Sequence, residues 1–351
     1  MLLLMLSAWY AHPCCVWLWL CAVVSVYNYF NGPFYFGWSS SATTYGALLT
    51  TDNAAGMLLL DDLGGLYSQP QFGSAVAVNR DGSVFAVAAL QHNPHDPQPG
   101  GGAVYIFVTT LSPVLTIPYT YVQQPVLTAA LAGFPAGELA SFGSALAMSA
   151  NGDTLAVGAC TASERGAVRV FQRDYGASGS QQQWRPQSAI LTPADSDAAV
   201  NSGALFGQSV SLTLDGNWLV VGAPGAAGST GFMYTYRRAG GVWSVQPTLR
   251  PPSISFGAGV RFGFSVVVRD PFSSNDPVLV VGAPGDGSTQ SGAIYQYRWI
   301  GYASEWVLTP NTQRTPADAD GNEFNFGYAL AMNDNATVLL GRWCSMRSLL
   351  Q

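Results

Sequence analysis

A short pattern of apolar and polar positions recurs five times along the chain. Each copy begins with Phe-Gly, continues through a strand of small and apolar residues to a polar turn, and returns through a second apolar strand. The copies start at Phe72-Gly73, Phe142-Gly143, Phe206-Gly207, Phe262-Gly263 and Phe326-Gly327. Their starts are 70, 64, 56 and 64 residues apart. A self-similar period of this length indicates a repeat architecture in which neighbouring copies share a core.

The second copy gives the clearest prediction of secondary structure. Residues 142–149 form a first strand and residues 154–159 a second, on either side of a tight turn at Ala150-Asn151-Gly152. Residues 166–171 alternate as a third strand, and residues 182–192, which contain Trp184, give a fourth. Four antiparallel strands within one period predict one blade of an all-β propeller.

The recurring residues have a structural explanation. A large Phe at the start of each copy can be buried between neighbouring sheets, and the following Gly permits close approach of the backbone. Glycine also recurs where the second strand ends in Val-Gly-Ala. We therefore predict a structural repeat motif consisting of Phe72, Gly73, Phe142, Gly143, Gly158, Phe206, Gly207, Gly222, Phe262, Gly263, Gly282, Phe326 and Gly327.

The repeats divide the chain into four segments. Residues 66–341 contain four full blades and a truncated fifth, of which residues 326–341 supply only a first hairpin. Residues 342–351 match nothing in the other copies and are interpreted as a non-repeat tail left by truncation or loss of frame. Residues 31–65 are a linker or a degenerate blade.

Residues 1–30 form an intensely apolar leader that is predicted to be a hydrophobic helix. It reads equally as a signal-anchor or as a cleaved signal peptide, and a start without function is a further alternative. Any membrane association is expected through this segment alone. The leader predicts a secreted or membrane-anchored protein on the extracellular side.

Composition excludes some classes of function. Only 10% of the 351 residues are charged, the formal net charge is -6, and the chain contains no Lys. No basic stripe is present to follow a phosphate backbone, so nucleic-acid binding is not expected. Outside the leader the only cysteines are Cys160 and Cys344, which do not form a disulfide framework or a metal-binding pair.

The five copies resemble FG-GAP repeats, the blades of integrin-α-type β-propellers. The resemblance runs from about residue 72 to residue 341 and includes co-ordinated second and third strands as well as the Phe-Gly pairs. It implies non-catalytic extracellular recognition or cell adhesion, with a protein or a carbohydrate as the ligand. The alternatives are an accessory propeller from a secreted polysaccharide-active enzyme or phospholipase, and a truncated product without independent function.

Integrin-type blades often carry calcium in the turn between the first two strands, and this chain departs from that pattern. Calcium requires roughly six to eight oxygen ligands. The turns offer Asn79 and Asp81, Asn151 and Asp153, Asp215, or Asn333, Asp334 and Asn335. None supplies the full series, so turn chemistry is expected and no cofactor is predicted. The acidic residues Asp195, Asp197, Asp318 and Asp320 are likewise interpreted as turn residues.

The sequence offers few candidates for catalysis or ligand binding. His92 and His95, beside Asp96, could contribute to a zinc site, but Pro94 and the missing third ligand favour a solvated loop. No Gly-x-Ser-x-Gly motif is present. We therefore expect no enzyme activity. The tryptophans of the fourth strands are expected to cover the core between blades, with carbohydrate stacking as the alternative; they are Trp184, Trp243 and Trp306.

Overall fold

The computed structural model of the chain is built almost entirely of antiparallel β-sheet. It describes residues 24–28, 32–36, 72–90, 101–111, 119–135, 138, 140–175, 183–193, 202–252, 259–270, 276–287, 291–309, 325–334 and 339–342. In the sheets the strand order follows the chain, so successive strands pair as antiparallel neighbours, except for one short strand in the first sheet. The all-β prediction is confirmed.

The strands fall into one sheet for each repeat copy. Ahead of the repeats, β1 (Val24–Asn28) pairs with β2 (Gly32–Phe36). The first copy contains β3 (Phe72–Val78), β4 (Val84–Ala89), β5 (Ala103–Leu111), β6 (Tyr119–Gln123) and β7 (Leu127–Thr128). The second contains β8 (Phe142–Met148), β9 (Thr154–Ala159), β10 (Ala167–Asp174) and β11 (Gln183–Leu191).

The later copies repeat this arrangement. The third contains β12 (Ser209–Leu212), β13 (Trp218–Ala223), β14 (Phe232–Ala239) and β15 (Val242–Val245). The fourth contains β16 (Ser265–Arg269), β17 (Val278–Ala283), β18 (Ala293–Ile300) and β19 (Glu305–Leu308). In the described part of the fifth copy, β20 (Ala329–Met332) pairs with β21 (Leu339–Arg342). The four predicted sheets and the fifth hairpin are therefore present.

The N-terminal segment departs from the prediction. A hydrophobic helix was predicted for residues 1–30, and for Val24–Asn28 this is wrong, because those residues form β1. Val24, Val26 and Tyr27 favour extended backbone, and β2 supplies the hydrogen bonds that an isolated strand would lack. Residues 1–23 and 29–30 lie outside the described residues, as does most of the predicted linker at 31–65.

The second strand of each of the first four sheets is completely buried. All six residues of β4, β9, β13 and β17 are inaccessible to solvent or nearly so. A strand that is covered on both faces requires apolar or small residues at every position, not at alternate positions. This burial explains why these segments read as continuous apolar runs in the sequence.

Two of the outer strands are interrupted at proline residues. In the first sheet, β6 and β7 pair with opposite ends of β5, and Pro125 lies between them. In the third sheet, β15 is followed by Pro247 and then by an isolated bridge between Met233 and Leu249. Because proline has no N–H to donate, the ladder of hydrogen bonds stops there. The first sheet consequently has a fifth, two-residue strand that the sequence did not predict.

The hydrophobic core lies between consecutive sheets. One cluster of buried side chains joins the first and second sheets and includes Ile106 and Phe142. Similar clusters join the second sheet to the third, the third to the fourth, and the fourth to the fifth hairpin. The first strands also lie side by side in chain order, from β3 through β8, β12 and β16 to β20. The copies therefore form one continuous series, as the repeat period predicts.

Helical structure within the described residues is confined to single turns. A 3-10 turn spans Ala162–Glu164 and a four-residue turn spans Ala226–Ser229, and both contain left-handed residues. Both turns follow the second strand of their copy, outside the sheets. No helix among the described residues combines the length and the apolar character needed to cross a bilayer.

Candidate functional site

The Phe-Gly pairs of copies two to five each form a tight turn at the start of their copy. In copies two to five, the amide after the Gly donates to the carbonyl before the Phe at 3.0–3.2 Å. The Gly φ angles lie between 85° and 99°. A β-turn with positive φ at its third residue has the type II pattern, which favours Gly at that position. The turn itself thus accounts for the Gly of Phe-Gly.

The Phe side chains are buried between sheets. Phe142, Phe206 and Phe262 are all 0% exposed. The ring of Phe206 meets the rings of Tyr234 and Tyr236 edge-on, with centroids 5.2 and 6.4 Å apart. Phe326 is half-buried against the core below the fifth hairpin. The burial of the Phe72 side chain lies outside what the structure describes.

In copies two to five, the backbone of the Phe-Gly pair contacts the preceding sheet. The amide of Phe206 donates to Arg165 O at 2.9 Å, and a Cβ atom on Gly166 would lie 2.1 Å from Phe206 O. The third strand must therefore begin with Gly. Gly102, Gly231 and Gly292 make the same contact with the next Phe. The predicted motif did not include these glycines, although their recurrence at the start of the third strand was visible in the sequence.

The second-strand glycines make a further close contact. A Cβ atom on Gly158, Gly222 or Gly282 would lie 1.9–2.0 Å from the carbonyl oxygen of the next Phe-Gly glycine. Only a glycine fits there without moving the backbone. The first copy differs, because Ala88 occupies this position and its Cβ faces Gly143. The predicted motif residues thus meet at the junctions between sheets.

A continuous surface is formed by the hairpin turns at one end of the sheets. This turn surface comprises residues 79–83, 149–153, 213–217, 270 and 333–334 between first and second strands, and residues 175, 240–241 and 301–304 between third and fourth strands. Both kinds of turn share one end because the strands alternate in direction. The end of the third strand is bonded to the turn between the first two strands, for example Arg173 N to Asp153 O at 2.8 Å.

The turns of successive copies are also hydrogen-bonded. Arg80 N donates to Ala150 O at 3.0 Å, and Ala150 N donates to Leu214 O at 2.8 Å. Leu214 N donates to Asp270 Oδ1 at 2.9 Å. The side chains of Arg80 and Asp334 then bring the first and fifth turns together, with Nε and Oδ2 3.8 Å apart. These contacts hold the turn surface as one unit.

Buried polar residues organise the turns from below. Asn79, Ser149 and Thr213 are 0–3% exposed, and each accepts a hydrogen bond from the amide that opens the second strand, at 3.0 Å. Sequence reasoning considered Asn79 only as a turn residue and did not single out Ser149 or Thr213. The available signal was an Asn, Ser or Thr three residues before the turn Gly in three copies. Without these acceptors the strand amides would be buried unpaired.

The acidic and amide side chains of the turns accept hydrogen bonds from their own turns. Asp81 accepts from Ser83 N at 2.9 Å, and Asp215 accepts from Asn217 N at 2.9 Å. Burial raises the pKa of Asp81, but the hydrogen bonds from Ser83 and Asn79 outweigh it and leave that pKa below the usual value. These contacts are the turn chemistry that the sequence predicts.

Two arginines in the strands next to the turn surface are partly buried. Burial lowers the pKa of Arg269, while the nearby Asp334 and Asp270 oppose that change. Arg238 crosses from the third sheet to the second, where its guanidinium donates to Gln172 Oε1 at 3.0 Å and to Thr154 Oγ1 at 3.2 Å. The Arg238 side chain therefore connects neighbouring copies.

Several candidate ligands from the sequence cannot be placed. His92, His95 and Asp96 lie outside the described residues, as do Asn335 and the second acidic cluster, Asp195, Asp197, Asp318 and Asp320. In the part of the chain that the structure describes, no three His, Cys, Asp or Glu side chains form a group suited to a metal ion. The zinc and calcium hypotheses therefore gain no described site.

The fourth-strand tryptophans lie in the core between sheets. Trp184, Trp243 and Trp306 are only 5–8% exposed. The indole of Trp243 donates to Gln187 Oε1 of the second sheet at 3.3 Å, and that of Trp306 donates to Thr235 Oγ1 of the third at 3.2 Å. Their rings are thus unavailable for stacking on a carbohydrate, and of the two readings the core-covering one is correct.

Exposed aromatic rings occur instead on the turn surface. Tyr302 is 98% exposed and Tyr175 is 53% exposed. Tyr175 donates its hydroxyl to Asp153 Oδ1, and the guanidinium carbon of Arg173 lies 4.9 Å from its ring centroid. Burial and the bond to Asp153 raise the pKa of Tyr175, which Arg173 partly opposes. The sequence analysis singled out neither tyrosine.

Comparison with known proteins adds little to this geometry. No protein-family model and no curated protein matches the chain. Among solved structures, the chain is similar to a Bacteroides fragilis protein whose description gives 6-phosphogluconolactonase as a candidate activity. The two share 10% sequence identity with a TM-score of 0.37, and the match covers 77% of this chain and 76% of that one.

Proposed function

We propose that the chain is a β-propeller that recognises a ligand outside the cell without converting it. Five FG-GAP-like copies would form the blades, and the turn surface would contact the ligand, a protein or a carbohydrate. The observation that carries this proposal is the series of hydrogen bonds between the turns of copies one to four, together with the contact between copies five and one.

The contact between the first and fifth turns supports a circular arrangement of the sheets. In a linear stack of repeats each copy contacts only its neighbours, so the first and fifth copies would lie far apart. The 3.8 Å separation between Arg80 and Asp334 favours a series that curves back on itself. Radial repetition of four-stranded sheets is the propeller architecture.

The character of the turn surface supports recognition. Binding residues commonly lie on loops that a rigid scaffold positions. Here the turns are held by hydrogen bonds within and between copies, while Tyr175 and Tyr302 project from them. A preorganised surface loses little conformational entropy when a ligand binds, which favours affinity.

Binding without turnover can be tested directly. The full chain would be applied to an array of polysaccharides and extracellular-matrix proteins, and each bound ligand would then be incubated with the chain and examined by mass spectrometry. We expect at least one ligand to bind and to be recovered unchanged. Recovery of a cleaved or modified ligand would overturn the non-catalytic part of the proposal and favour the enzyme-associated alternative. Absence of binding to the whole array would overturn recognition.

A further inference from the structure

We propose that Tyr175, Asp153 and Asn151 form a binding subsite for a neutral pyranose unit of a glycan. This inference deepens the recognition function proposed above and rests on it. It assigns the carbohydrate-stacking role, which the buried fourth-strand tryptophans cannot perform, to an aromatic ring on the turn surface of the second copy.

The ring of Tyr175 is exposed and yet held in one orientation. Its hydroxyl donates to Asp153 Oδ1, and the guanidinium of Arg173 covers one face of the ring at 4.9 Å. Arg173 is itself only 9% exposed. The preceding residue, Asp174, forms an ion pair with Arg185 at 2.9 Å. Tyr175 is nevertheless 53% exposed, so part of it that Arg173 does not cover is open to solvent.

Polar groups are fixed beside this ring. Asn151 Nδ2 donates to Asp153 Oδ2 at 2.8 Å, and Asn151 Oδ1 accepts from Ser149 Oγ and from Asp153 N. Each carboxylate oxygen has two lone pairs, and each accepts one bond here, from Tyr175 or from Asn151. Asp153 can therefore accept further hydrogen bonds, and the Asn151 amide has a second N–H to donate.

This combination matches the chemistry of a pyranose. Such a ring presents one face of C–H groups and a rim of hydroxyls, and an aromatic face beside hydrogen-bonding groups complements both. Asp153 and Arg173 carry opposite charges, so the subsite has no net charge to attract a polyanion. A neutral sugar therefore fits better than an anionic one.

Tyr302 supplies a matched control. It is 98% exposed on the corresponding turn of the fourth copy, and no described hydrogen bond or ring contact orients it. A ring that is free to rotate loses more entropy on binding than a fixed one. We therefore expect the fixed ring to bind and the unconstrained ring to contribute little.

Saturation-transfer NMR on the full chain tests the subsite. The probes are methyl β-glucopyranoside, methyl β-galactopyranoside, methyl α-mannopyranoside, N,N′-diacetylchitobiose and, as an anionic comparison, glucuronate. We expect at least one neutral probe to receive saturation. Tyr175→Ala should remove the signal, Tyr175→Phe should weaken binding several-fold because the bond to Asp153 is lost, and Tyr302→Ala should leave it unchanged. Melting temperatures of the variants verify folding, since both tyrosines lie at the surface.

Two results would overturn the subsite. One is an undiminished signal in folded Tyr175→Ala, and the other is the absence of any signal with the wild-type chain. If either result occurs while a ligand still binds on the array described above, the subsite proposal is wrong and the recognition proposal stands. Failure of both the probes and the array would overturn both proposals.

Discussion

The junction between the first and second sheets differs from the three later junctions in one residue of the second strand, which is Ala in the first copy and Gly in the next three. In the later junctions, Gly158, Gly222 or Gly282 leaves room for the carbonyl of the next Phe-Gly glycine. In the first junction, Ala88 replaces that glycine, and its Cβ would lie 2.8 Å from a Cβ on Gly143. Glycine is thus needed on both sides of the later junctions, but only on one side of the first.

The hydrogen bond that a first-strand serine makes also differs between the first junction and the later ones. Ser144, Ser209 and Ser265 donate across their junctions to the glycine carbonyl of the next copy at 2.6–3.1 Å. In the first copy Ser74 donates instead to Ala88 O in its own sheet, at 3.3 Å. The difference teaches that close backbone approach and the hydrogen bond across the junction occur together. Where a methyl group intervenes, the bond stays within the sheet.

The largest expected effect tests whether the two kinds of junction share the same aromatic core. Phe206→Ala at a later junction and Phe142→Ala at the first should each cost about 3–5 kcal/mol, because both rings are fully buried. The half-buried Phe326 should cost less when changed to Ala. Urea unfolding of the purified variants measures these losses. A Phe206→Ala protein that melts within a degree or two of the parent would show that this burial is wrong.

The next effect isolates the glycine itself. Gly222→Ala places a Cβ 1.9 Å from Gly263 O, so the backbone must move, and we expect a loss of about 2–3 kcal/mol. The reverse change in the first copy, Ala88→Gly, should cost about 0.5–1 kcal/mol through strand entropy alone. If thermal unfolding shows that the two substitutions lower the free energy of unfolding equally, the proposed difference between the junctions is wrong.

A smaller effect concerns the serine hydroxyl. Ser209→Ala removes the bond to Gly263 O at 2.8 Å and leaves a partly buried carbonyl unpaired, which should cost about 1 kcal/mol. Ser74→Ala removes a longer bond within one sheet and should cost less. The two urea midpoints are compared directly. If Ser74→Ala proves the more destabilising, the hydroxyl is not specific to the later junctions.

The smallest effect is expected from removing divalent cations. Asp81 lies in a turn of the first copy and Asp215 in a turn of the third copy. Both carboxylates already accept hydrogen bonds from their own turns. Calcium needs more oxygen ligands than these turns supply. Addition of EDTA should therefore leave the melting temperature unchanged. A fall of many degrees would mean that backbone or cross-loop oxygens complete a calcium site.

Much of the sheet structure could be predicted from the sequence because hairpins depend on local chemistry. Residues 142–149 and 154–159 were predicted as strands, and β8 (Phe142–Met148) and β9 (Thr154–Ala159) agree almost residue for residue. Turn residues and apolar runs act within a few positions of each other, so the pattern contains the information. The leader shows the limit of this reasoning, because an apolar composition is compatible with both helix and strand. At Val24–Asn28, pairing with β2 favours the strand.

The site could be predicted only in part. The sequence identified Phe206, Gly207 and Gly222 as motif residues but did not show what each one contacts. It also missed the third-strand glycines, the buried residues Ser149 and Thr213, and the part that Asn79 plays as an acceptor, because these roles depend on neighbouring backbone. The orientation of Tyr175 by Asp153 joins residues 22 positions apart and was equally invisible.

By itself, the sequence determined the number of copies, most of the strands within each copy and the need for a large buried residue and a glycine at the start of a copy. Only the tertiary structure decided that Gly158 faces Gly207 from the next copy, that Trp243 is buried while Tyr175 is exposed, and that Asp334 lies near Arg80. The physical reason is the range of the interactions. Periodicity and turn chemistry act along the chain, whereas packing and hydrogen bonds between sheets depend on residues that only folding brings together.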